Sequence, residues 1–335
     1  MSSEAPSSPL RIGILGAARI AGMALVQPAR TVEDACAFGI AARQPARAGG
    51  FQVRHGLVRA YPDYESMLAD PEIDAVYNPL PNSLHARWTL RALELGKHVL
   101  CEKPFTANAA EAHTVATAAA ASDRVVMEAF HWRYHPLAAR MLEVLRSGEI
   151  GEVRQIEARF CVPMLLRNDI RWRWDLAGGA LMDTGCYAVH IVRTLAQAEP
   201  VEVLWARAHT TADPRVDRSM EAELRFADGR TGRVVCSLLS RRLLAAAVKV
   251  EATLGELRVF NPVAPHLYHR LTVRTARGTR HERIDGEATY VHQLRAFVAA
   301  VRHGTPVLTG PADASANMQV IDAIYQRAGL PLRGT

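Results

Sequence analysis

A lysine stands where a short apolar run meets a proline. Residues 98–101 (HVLC) predict a strand, and Glu102, Lys103 and Pro104 follow directly. Lysine is rare in this chain, at three of 40 basic residues. Burial lowers the pKa of an ammonium group, which is a route to proton chemistry that a guanidinium does not offer. Taken alone, the segment is equally well interpreted as a strand end with a solvated charge.

Three further reactive side chains are spaced as they would be along one face of a helix. If residues 180–193 form a helix, Asp183, Tyr187 and His190 lie on one face at i, i+4 and i+7. An acid, a phenol and an imidazole on one face are costly to bury without partners. A capping aspartate and a packed tyrosine would give the same pattern, but the presence of Lys103 favours a functional role for Asp183 and Tyr187. For His190, a substrate contact and a packing role stay equally open.

A dinucleotide-binding turn is predicted near the start of the chain. The apolar run Leu10–Leu15 predicts a strand, and residues 16–21 (GAARIA) lead from it into a helix. Strand, tight turn and helix form the context in which a G-x-G-x-x-G motif binds a pyrophosphate. Here a glycine supplies the turn, whereas Ala18 and Ala21 replace the other two glycines. The predicted phosphate contacts are Gly16, Ala17, Ala18, Arg19 and Ile20.

An arginine follows the next predicted strand, Cys36–Ala42. An NAD site would place an acid there for the ribose 2′-hydroxyl. This chain instead has Arg43, with Arg47 one turn further on and no acid between them. A guanidinium matches a 2′-phosphate bidentately and gains nothing comparable from a hydroxyl. We therefore expect NADP as the cofactor, with NAD less favoured.

Strands and helices alternate up to residue 129. Further strands are predicted at Ile73–Tyr77 and Val125–Ala129, with helices between them, which is typical of a doubly wound parallel sheet. Ligands bind such sheets beyond the carboxyl ends of the strands, where the glycine turn, Arg43, residues 79–82 and Lys103 all fall. The further cofactor contacts predicted at these strand ends are Pro79, Leu80, Asn82, His85, Glu102, Lys103 and Pro104.

The pattern changes after residue 150. Successive strands with short turns are predicted, among them Val153–Val162 and Ser219–Phe226, and Asp228-Gly229 is a hairpin signal. Such a run is typical of an antiparallel sheet. We therefore predict an α/β protein with a flexible tail at 1–9, a doubly wound Rossmann domain that binds NAD(P) at 10–133, and a second α/β domain at 134–335.

With these residues in place, the chain resembles the glucose–fructose oxidoreductase / inositol dehydrogenase / MocA family. The likeness covers essentially everything after residue 10, and within the family it is most similar to the dimeric dihydrodiol dehydrogenase and NADP-dependent D-xylose dehydrogenase branch. Tyr187 stands where inositol dehydrogenases have histidine, which disfavours inositol as the substrate. The matching segments are 11–21, 77–85 (YNPLPNSLH), 96–105 (GKHVLCEKPF), 127–136 (MEAFHWRYHP), 178–187 (GGALMDTGCY) and 289–297 (TYVHQLRAF).

The resemblance implies that the second domain carries a large, open, mostly antiparallel sheet. In the family this domain binds substrate and often mediates oligomerisation, so we expect a homo-oligomer, either dimer or tetramer. The resemblance also implies that Lys103 lies beside nicotinamide and substrate, often with a cis bond to Pro104. Arg171 and Trp172 lie in a loop placed to cover the nicotinamide ribose, and we assign Trp172 to the cofactor. The predicted substrate contacts are Lys103, Arg171, Asp183, Tyr187 and His190.

Composition argues against several other classes of protein. A hydrophobic content of 49% with 22% charged residues is ordinary for a globular protein. The net charge of +6 comes from arginines spread along the whole chain, so we expect no nucleic-acid partner.

No apolar run could span a bilayer and the start lacks a signal-peptide pattern, so we expect no membrane partner and a cytoplasmic location. The five cysteines form no CxxC pair and suit reduced thiols. His131 and His135 lack an acidic companion at metal spacing, so no metal site is expected.

The assembled residues predict hydride transfer to or from the hydroxyl of a carbohydrate or cyclic diol, as in an aldose 1-dehydrogenase or a dihydrodiol dehydrogenase. Such chemistry also moves a proton from the same hydroxyl. Tyr187 would be the acid/base, Lys103 would lower the pKa of the phenol and bind the hydroxyl, and Asp183 would orient them. The roles of Tyr187 and Lys103 could be exchanged.

Three alternatives stay open. A sugar ketoreductase of deoxysugar biosynthesis would use the same residues in reverse. A redox-neutral glycosidase that retains its nicotinamide cofactor is a more distant enzyme class. A non-catalytic regulatory protein could sense NADP on this fold, but it would have no need of a lysine, an aspartate and a tyrosine together.

Overall fold

A six-stranded parallel sheet forms the first half of the protein. A computed structural model describes residues 8–164, 166, 169–240 and 245–334, so residues 1–7 of the predicted tail lie outside the described part. The strand order is β3-β2-β1-β4-β5-β6, and every neighbouring pair is parallel. The strands are β1 Leu10–Leu15, β2 Ala35–Ala41, β3 Arg59–Tyr61, β4 Ala75–Asn78, β5 His98–Cys101 and β6 Val126–Glu128.

Helices connect these strands and bury both faces of the sheet. Alternate strand residues accordingly belong to two separate apolar cores. Local signals set the ends of the helices. The helix that follows β2 begins at Pro45 and ends at Gly56, whose φ of 70° is left-handed. The connections are α1 Arg19–Ala21, a π-helical turn Gly22–Val26, α2 Gln27–Ala29, α3 Pro45–His55, α4 Tyr64–Ala69, a 3-10 turn Asn82–Leu84, α5 His85–Glu94 and α6 Ala109–Ala120.

An eight-stranded sheet forms the second half, in the order β14-β13-β12-β11-β7-β10-β9-β8. Only the β7–β10 pair is parallel, and the other six are antiparallel. The predicted parallel sheet followed by a large, mostly antiparallel sheet is thus confirmed. The strands are β7 Val153–Cys161, β8 Pro200–Thr210, β9 Asp217–Phe226, β10 Thr231–Ser237, β11 Ala245–Ala252, β12 Gly255–Phe260, β13 Arg270–Thr275 and β14 Gly278–Glu282.

The later helices join the two sheets. α8 packs on the second sheet, and α10 lies against α6, α8 and β8. α9 instead returns to the first sheet, where Leu294 and Phe297 share a core with Ile12 and Tyr77. The segments are a 3-10 turn His131–Tyr134, α7 Pro136–Arg146, 3-10 turns Ile170–Trp172 and Trp174–Leu176, a π-helical turn Leu181–Gly185, α8 Cys186–Ala196, α9 Thr289–His303 and α10 Pro311–Arg327. Within the described residues, no helix has the length and apolar content needed to cross a membrane.

A buried ion pair fixes the start of the π-helical turn that carries Asp183. Arg333 and Asp217 are both fully buried, with Nη2 2.7 Å from Oδ1. Asp217 accepts a second hydrogen bond from the Leu181 backbone N–H at 2.7 Å, while Arg333 Nε donates to the Gly178 carbonyl at 2.8 Å. A charge without a partner is costly in such an interior. Residues from β9 and the end of the chain therefore position the helix of the candidate site.

Gly179 lies against this ion pair, and we predict that it tolerates no side chain. Its φ is 136°, and a Cβ would lie 2.9 Å from Arg333 Nη2 and closer still to Asp217 Oδ1. Gly278 has a φ of 135° with open space around it, so it is a matched control for backbone strain. Gly179→Ala should lower the free energy of unfolding by about 1–3 kcal/mol more than Gly278→Ala does. Urea unfolding measures both, and equal losses would contradict the close packing.

Candidate active site

The glycine turn after β1 packs closely against the loop that follows β4. Gly16 has a φ of 91°, a conformation that favours glycine, and a Cβ there would lie 2.9 Å from Leu80 Cδ2. The Gly16 N–H is held by the Ala41 carbonyl at 2.7 Å. Ala17, Ala18 and Ile20 are half-buried, whereas Arg19 is exposed. A turn lined by such small side chains fits the pyrophosphate of a dinucleotide.

Two arginines flank that turn at the end of β2. Arg43 and Arg47 are both exposed, and the chain between them carries no acid. Arg47 Nη2 donates to the Ala17 carbonyl at 3.2 Å, which ties it to the turn. A phosphate on the ribose 2′-oxygen would find two guanidinium groups here and no carboxylate competitor.

Lys103 projects from the end of β5 and meets the second half of the chain. Its bond to Pro104 is cis. Lys103 Nζ donates to the Asp183 carbonyl at 2.9 Å and to Asp183 Oδ1 at 3.1 Å. Burial alone would lower the pKa of Lys103, but the negative charges of Asp183 and Glu102 outweigh it, and the pKa is raised. The pKa of Lys103 is therefore raised overall, and not lowered as burial alone would make it, and Lys103 keeps its charge at neutral pH.

Asp183 belongs to a line of alternating charges. Its Oδ2 accepts from Arg171 Nε at 2.8 Å, and Arg171 Nη1 donates to Asp169 Oδ1 at 2.9 Å. The other Asp169 oxygen lies 3.4 Å from Arg19 Nη2 in the glycine turn. Burial would raise the pKa of Asp183, but Lys103 and Arg171 lower it further than burial raises it. The dinucleotide turn is thus linked to the end of β5 by side chains of alternating charge, in the order Arg19, Asp169, Arg171, Asp183 and Lys103.

Tyr187 places its ring, and not its hydroxyl, toward Lys103. Lys103 Nζ lies 5.1 Å from the ring centroid, while Tyr187 Oη lies 3.0 Å from His131 Nε2. The phenol is only 4% exposed. Burial, together with Tyr290 and Glu102, raises the pKa of Tyr187 well above its ordinary value. The prediction that Lys103 lowers this pKa is therefore wrong in direction, since burial dominates.

The other strand ends are tied together by polar contacts. Tyr77 Oη donates to Glu102 Oε1 at 2.6 Å, and burial raises the pKa of that carboxyl. His85 Nδ1 lies 2.8 Å from the Pro104 carbonyl and Nε2 lies 2.7 Å from the Leu80 carbonyl. Two carbonyl neighbours favour a protonated ring, but burial outweighs them and lowers the pKa of His85 to about 4. A neutral ring has one N–H and can donate to only one of these carbonyls, but both contacts hold His85 between two loops of the predicted cofactor site.

The loops that bear Asn82 and Trp172 are also held by hydrogen bonds. Asn82 Nδ2 donates to the Ala177 carbonyl at 2.9 Å, and Trp172 Nε1 donates to the Leu166 carbonyl at 2.9 Å. Pro79 is buried beside them at the end of β4. These contacts connect the first sheet to the loop at 169–177. Residues 165, 167 and 168, which precede this loop, lie outside the described residues.

His190 differs from the other predicted substrate contacts. Its Nδ1 accepts from Trp132 Nε1 at 3.1 Å, and its Nε2 lies 2.9 Å from Asp313 Oδ2. The ring is 1% exposed and stacks on Phe130 at 4.1 Å. Neither ring nitrogen is left for a substrate, because both are engaged by protein groups. Of the two roles that the sequence leaves open for His190, the packing role matches this geometry.

Two residues in this region were missed by sequence reasoning. Asp169 bridges Arg19 and Arg171, and His131 contacts the hydroxyl of Tyr187. Asp169 carries no local signal, because its partners are distant in sequence or lie in an irregular loop. His131 stands in the segment MEAFHWRYHP, where the lack of an acidic companion at metal spacing suggested only that it binds no metal. Among the described residues, no group of three or more acidic, histidine or cysteine side chains is arranged to hold a metal ion.

Comparison with known proteins agrees with this architecture. The profile described as "Oxidoreductase family, NAD-binding Rossmann fold" matches residues 10–130, and that described as "GFO/IDH/MocA C-terminal domain" matches residues 138–258. The chain is 38% identical over 323 residues to a D-xylose 1-dehydrogenase (NADP(+)) of Haloferax volcanii, covering 95% of this chain and 97% of that protein. It is 31% identical to a dTDP-3,4-didehydro-2,6-dideoxy-alpha-D-glucose 3-reductase of Saccharopolyspora spinosa, covering 95% and 97% of the two chains.

A solved structure shares the whole fold. The 3-ketoreductase of Actinomadura kijaniata, in complex with NADP and TDP-benzene, superimposes with a TM-score of 0.89 at 28% identity, over 95% of this chain and 98% of that one. The two profiles and the full-length relatives agree with the two sheets and the glycine turn described above. The chain belongs to the GFO/IDH/MocA family of oxidoreductases.

Proposed function

We propose that this protein is an NADP-dependent oxidoreductase that moves a hydride between nicotinamide and the hydroxyl carbon of an aldose or a cyclic diol. The observation that carries the proposal is the placement of the Lys103 ammonium. It is fixed by Asp183 at the end of β5, 5.1 Å from the Tyr187 ring, at the same sheet edge as the glycine turn. The likeness to an NADP-dependent D-xylose dehydrogenase supports both the cofactor and the substrate class.

The charge of each side chain determines its role in the proposed reaction. When bound, the nicotinamide supplies or accepts the hydride. Because its pKa is raised, Lys103 stays an ammonium that binds the substrate oxygen and stabilises the negative charge that develops on it. Tyr187 is then the group that exchanges the proton, and Asp183 holds Lys103 in place. This assignment favours Tyr187 over Lys103 for proton transfer.

The reverse reaction, reduction of a ketosugar, uses the same groups. The structural likeness to a 3-ketoreductase bound to NADP and TDP-benzene supports this second candidate. The two directions share one test, because either requires this chain to move a hydride on a sugar carbon. Incubation with NADP and a panel of aldoses and diols, or with NADPH and ketosugars, should change the near-ultraviolet absorbance of the nicotinamide. Tight NADP binding without any turnover would point to the sensor alternative.

The two central side chains should differ in what they contribute. Tyr187→Phe should slow single-turnover hydride transfer about 100- to 10,000-fold, because the proton loses its acid/base group. Lys103→Met should cause a loss of similar size and also weaken substrate binding. Lys249→Met is the matched control, since Lys249 lies on β11 and pairs with Glu251. Near-normal rates in both Tyr187→Phe and Lys103→Met would end the proposal.

Arg43 should decide between the two nicotinamide cofactors. Arg43→Ala should weaken NADP binding about 10- to 100-fold, because charge-assisted hydrogen bonds to the 2′-phosphate are lost, while NAD binding stays the same. Arg54→Ala, which removes an exposed arginine from α3, controls for net charge. Calorimetric titration of both cofactors measures the difference. Unchanged NADP affinity in Arg43→Ala would rule out this contact.

We also propose the setting in which the enzyme works. Residues 10–133 would serve as the cofactor half and residues 134–335 as the substrate half. The second sheet would join copies of the chain into a dimer or tetramer, because its outer face is open and lined by charged pairs such as Arg233–Glu157 and Arg233–Glu221. Cys36, Cys101, Cys186 and Cys236 carry free thiols, which suits a cytoplasmic enzyme. Sedimentation of the full chain as a monomer would contradict the assembly, and cell fractionation tests the location.

A further inference from the structure

A buried histidine contacts the hydroxyl of Tyr187. His131 Nε2 is 3.0 Å from Tyr187 Oη, and its Nδ1 is 2.8 Å from Thr289 Oγ1. His131 is 4% exposed and Thr289 is fully buried. The three side chains come from a 3-10 turn after β6, from α8 and from the start of α9, so the line joins both halves of the protein.

The partners of His131 set it apart from the two other buried histidines of the region. His85 faces two carbonyl oxygens, which can only accept. The Nδ1 of His190 faces the Trp132 indole N–H, which can only donate. Both nitrogens of His131 face hydroxyls, and a hydroxyl can donate or accept. His131 can therefore exchange its donor and acceptor nitrogens without breaking either hydrogen bond.

At rest His131 is a neutral ring. Burial lowers its pKa to about 3, with Lys103 and His266 acting in the same direction. A neutral imidazole has one N–H and one lone pair, which matches two hydroxyl neighbours. When Nδ1–H donates to Thr289, the lone pair of Nε2 accepts the Tyr187 O–H. The titratable groups that face the line are Lys103, His266 and Tyr290 near His131, and Tyr290, Glu102, Cys186 and Asp183 near Tyr187.

We propose that His131 relays the proton of Tyr187 during turnover, an inference that rests on the proposed hydride-transfer function. In the oxidative direction, the substrate O–H bond breaks and its proton passes to Tyr187 Oη. The Tyr187 O–H bond breaks at the same time, and that proton moves to His131 Nε2. The carbinol C–H bond leaves with its electron pair as the hydride, so the substrate is oxidised to a carbonyl and the oxidised nicotinamide is reduced.

This relay solves a problem that burial creates for Tyr187. A buried phenol with a strongly raised pKa hardly ever loses its proton, because forming a free phenolate there is costly. Such a phenol cannot by itself act as the base. If Tyr187 loses its own proton to His131 as it gains one from the substrate, no phenolate has to form. Burial and the charge of Lys103 disfavour a positive charge on His131 at rest, and the loss of positive charge on the nicotinamide in the same step compensates for it. Once the product has left, His131 returns the proton to Tyr187 Oη, and the Tyr187 proton leaves through the emptied substrate site.

The decisive variant is His131→Gln, which keeps a polar group near the Nε2 position but cannot carry a proton. Single-turnover hydride transfer in the NADP-loaded enzyme should fall about 100- to 10,000-fold. The residual rate should climb with rising pH, because only deprotonation of Tyr187 itself can then drive the step. NADP affinity should stay the same. His113→Asn, an exposed histidine on α6, should keep the wild-type rate and pH profile. A wild-type rate and pH profile in His131→Gln would overturn the relay.

A readout that needs no turnover tests the hydrogen bond on which the relay depends. Heteronuclear NMR of the imidazole nitrogens should show one protonated and one unprotonated nitrogen in His131, and Tyr187→Phe should shift the Nε2 signal while leaving His113 unchanged. Unshifted His131 nitrogens would show that the two groups are not coupled. If the wild-type protein moves no hydride on any aldose, diol or ketosugar, the proposed function fails. An active wild type with an unaffected His131→Gln variant defeats the relay alone.

Discussion

The ion pair between Lys103 and Asp183 is the interaction on which the rest of the site depends. Lys103 ends a strand of the first sheet, and Asp183 begins a helix of the second half. Their side chains are only 15% and 17% exposed, so each charge needs the other. The pair raises the pKa of Lys103 and lowers that of Asp183, although burial acts against both shifts. A permanent cation is thereby held where the two halves of the protein meet.

Further interactions hold that pair in position. Arg171 forms an ion pair with the second carboxylate oxygen of Asp183. It also pairs with Asp169, which in turn pairs with Arg19 of the glycine turn. On the other side, the buried Arg333–Asp217 pair anchors the backbone from which Asp183 projects. The geometry of Lys103 is therefore coupled both to the dinucleotide turn and to the last residues of the chain.

Local patterns predicted much of this arrangement. Apolar strands that end in glycine, arginine, proline or lysine placed Gly16, Arg43 and Lys103 at one edge of a parallel sheet, because strand ends gather there whatever the details of packing. The i, i+4 spacing brought Asp183 and Tyr187 together, although a π-helical turn at Leu181–Gly185 carries the first of them. The sequence patterns therefore sufficed for the place of the site and for its main groups.

Long-range contacts account for what those patterns did not predict. The direction of the Tyr187 pKa depends on burial by Phe130 and Phe160, whose rings pack edge-on against it. The return of α9 to the first sheet brings Thr289 within reach of His131, across 158 residues of sequence. No periodicity encodes such a pairing, because it arises only when two separate cores are packed. The role of His131 was for the same reason invisible in the sequence.

The charge of Lys103 is the central claim, and the scarcity of lysine makes it directly measurable. Selective labelling of lysine side chains should give three NMR signals, and Lys103→Arg identifies the one that belongs to Lys103. Burial lowers the pKa of Lys97, whereas that of Lys103 is raised. A pH titration of the side-chain signals should therefore show Lys103 losing its proton at a higher pH than Lys97. If Lys103 titrates below Lys97, it is not the permanent cation on which this account rests.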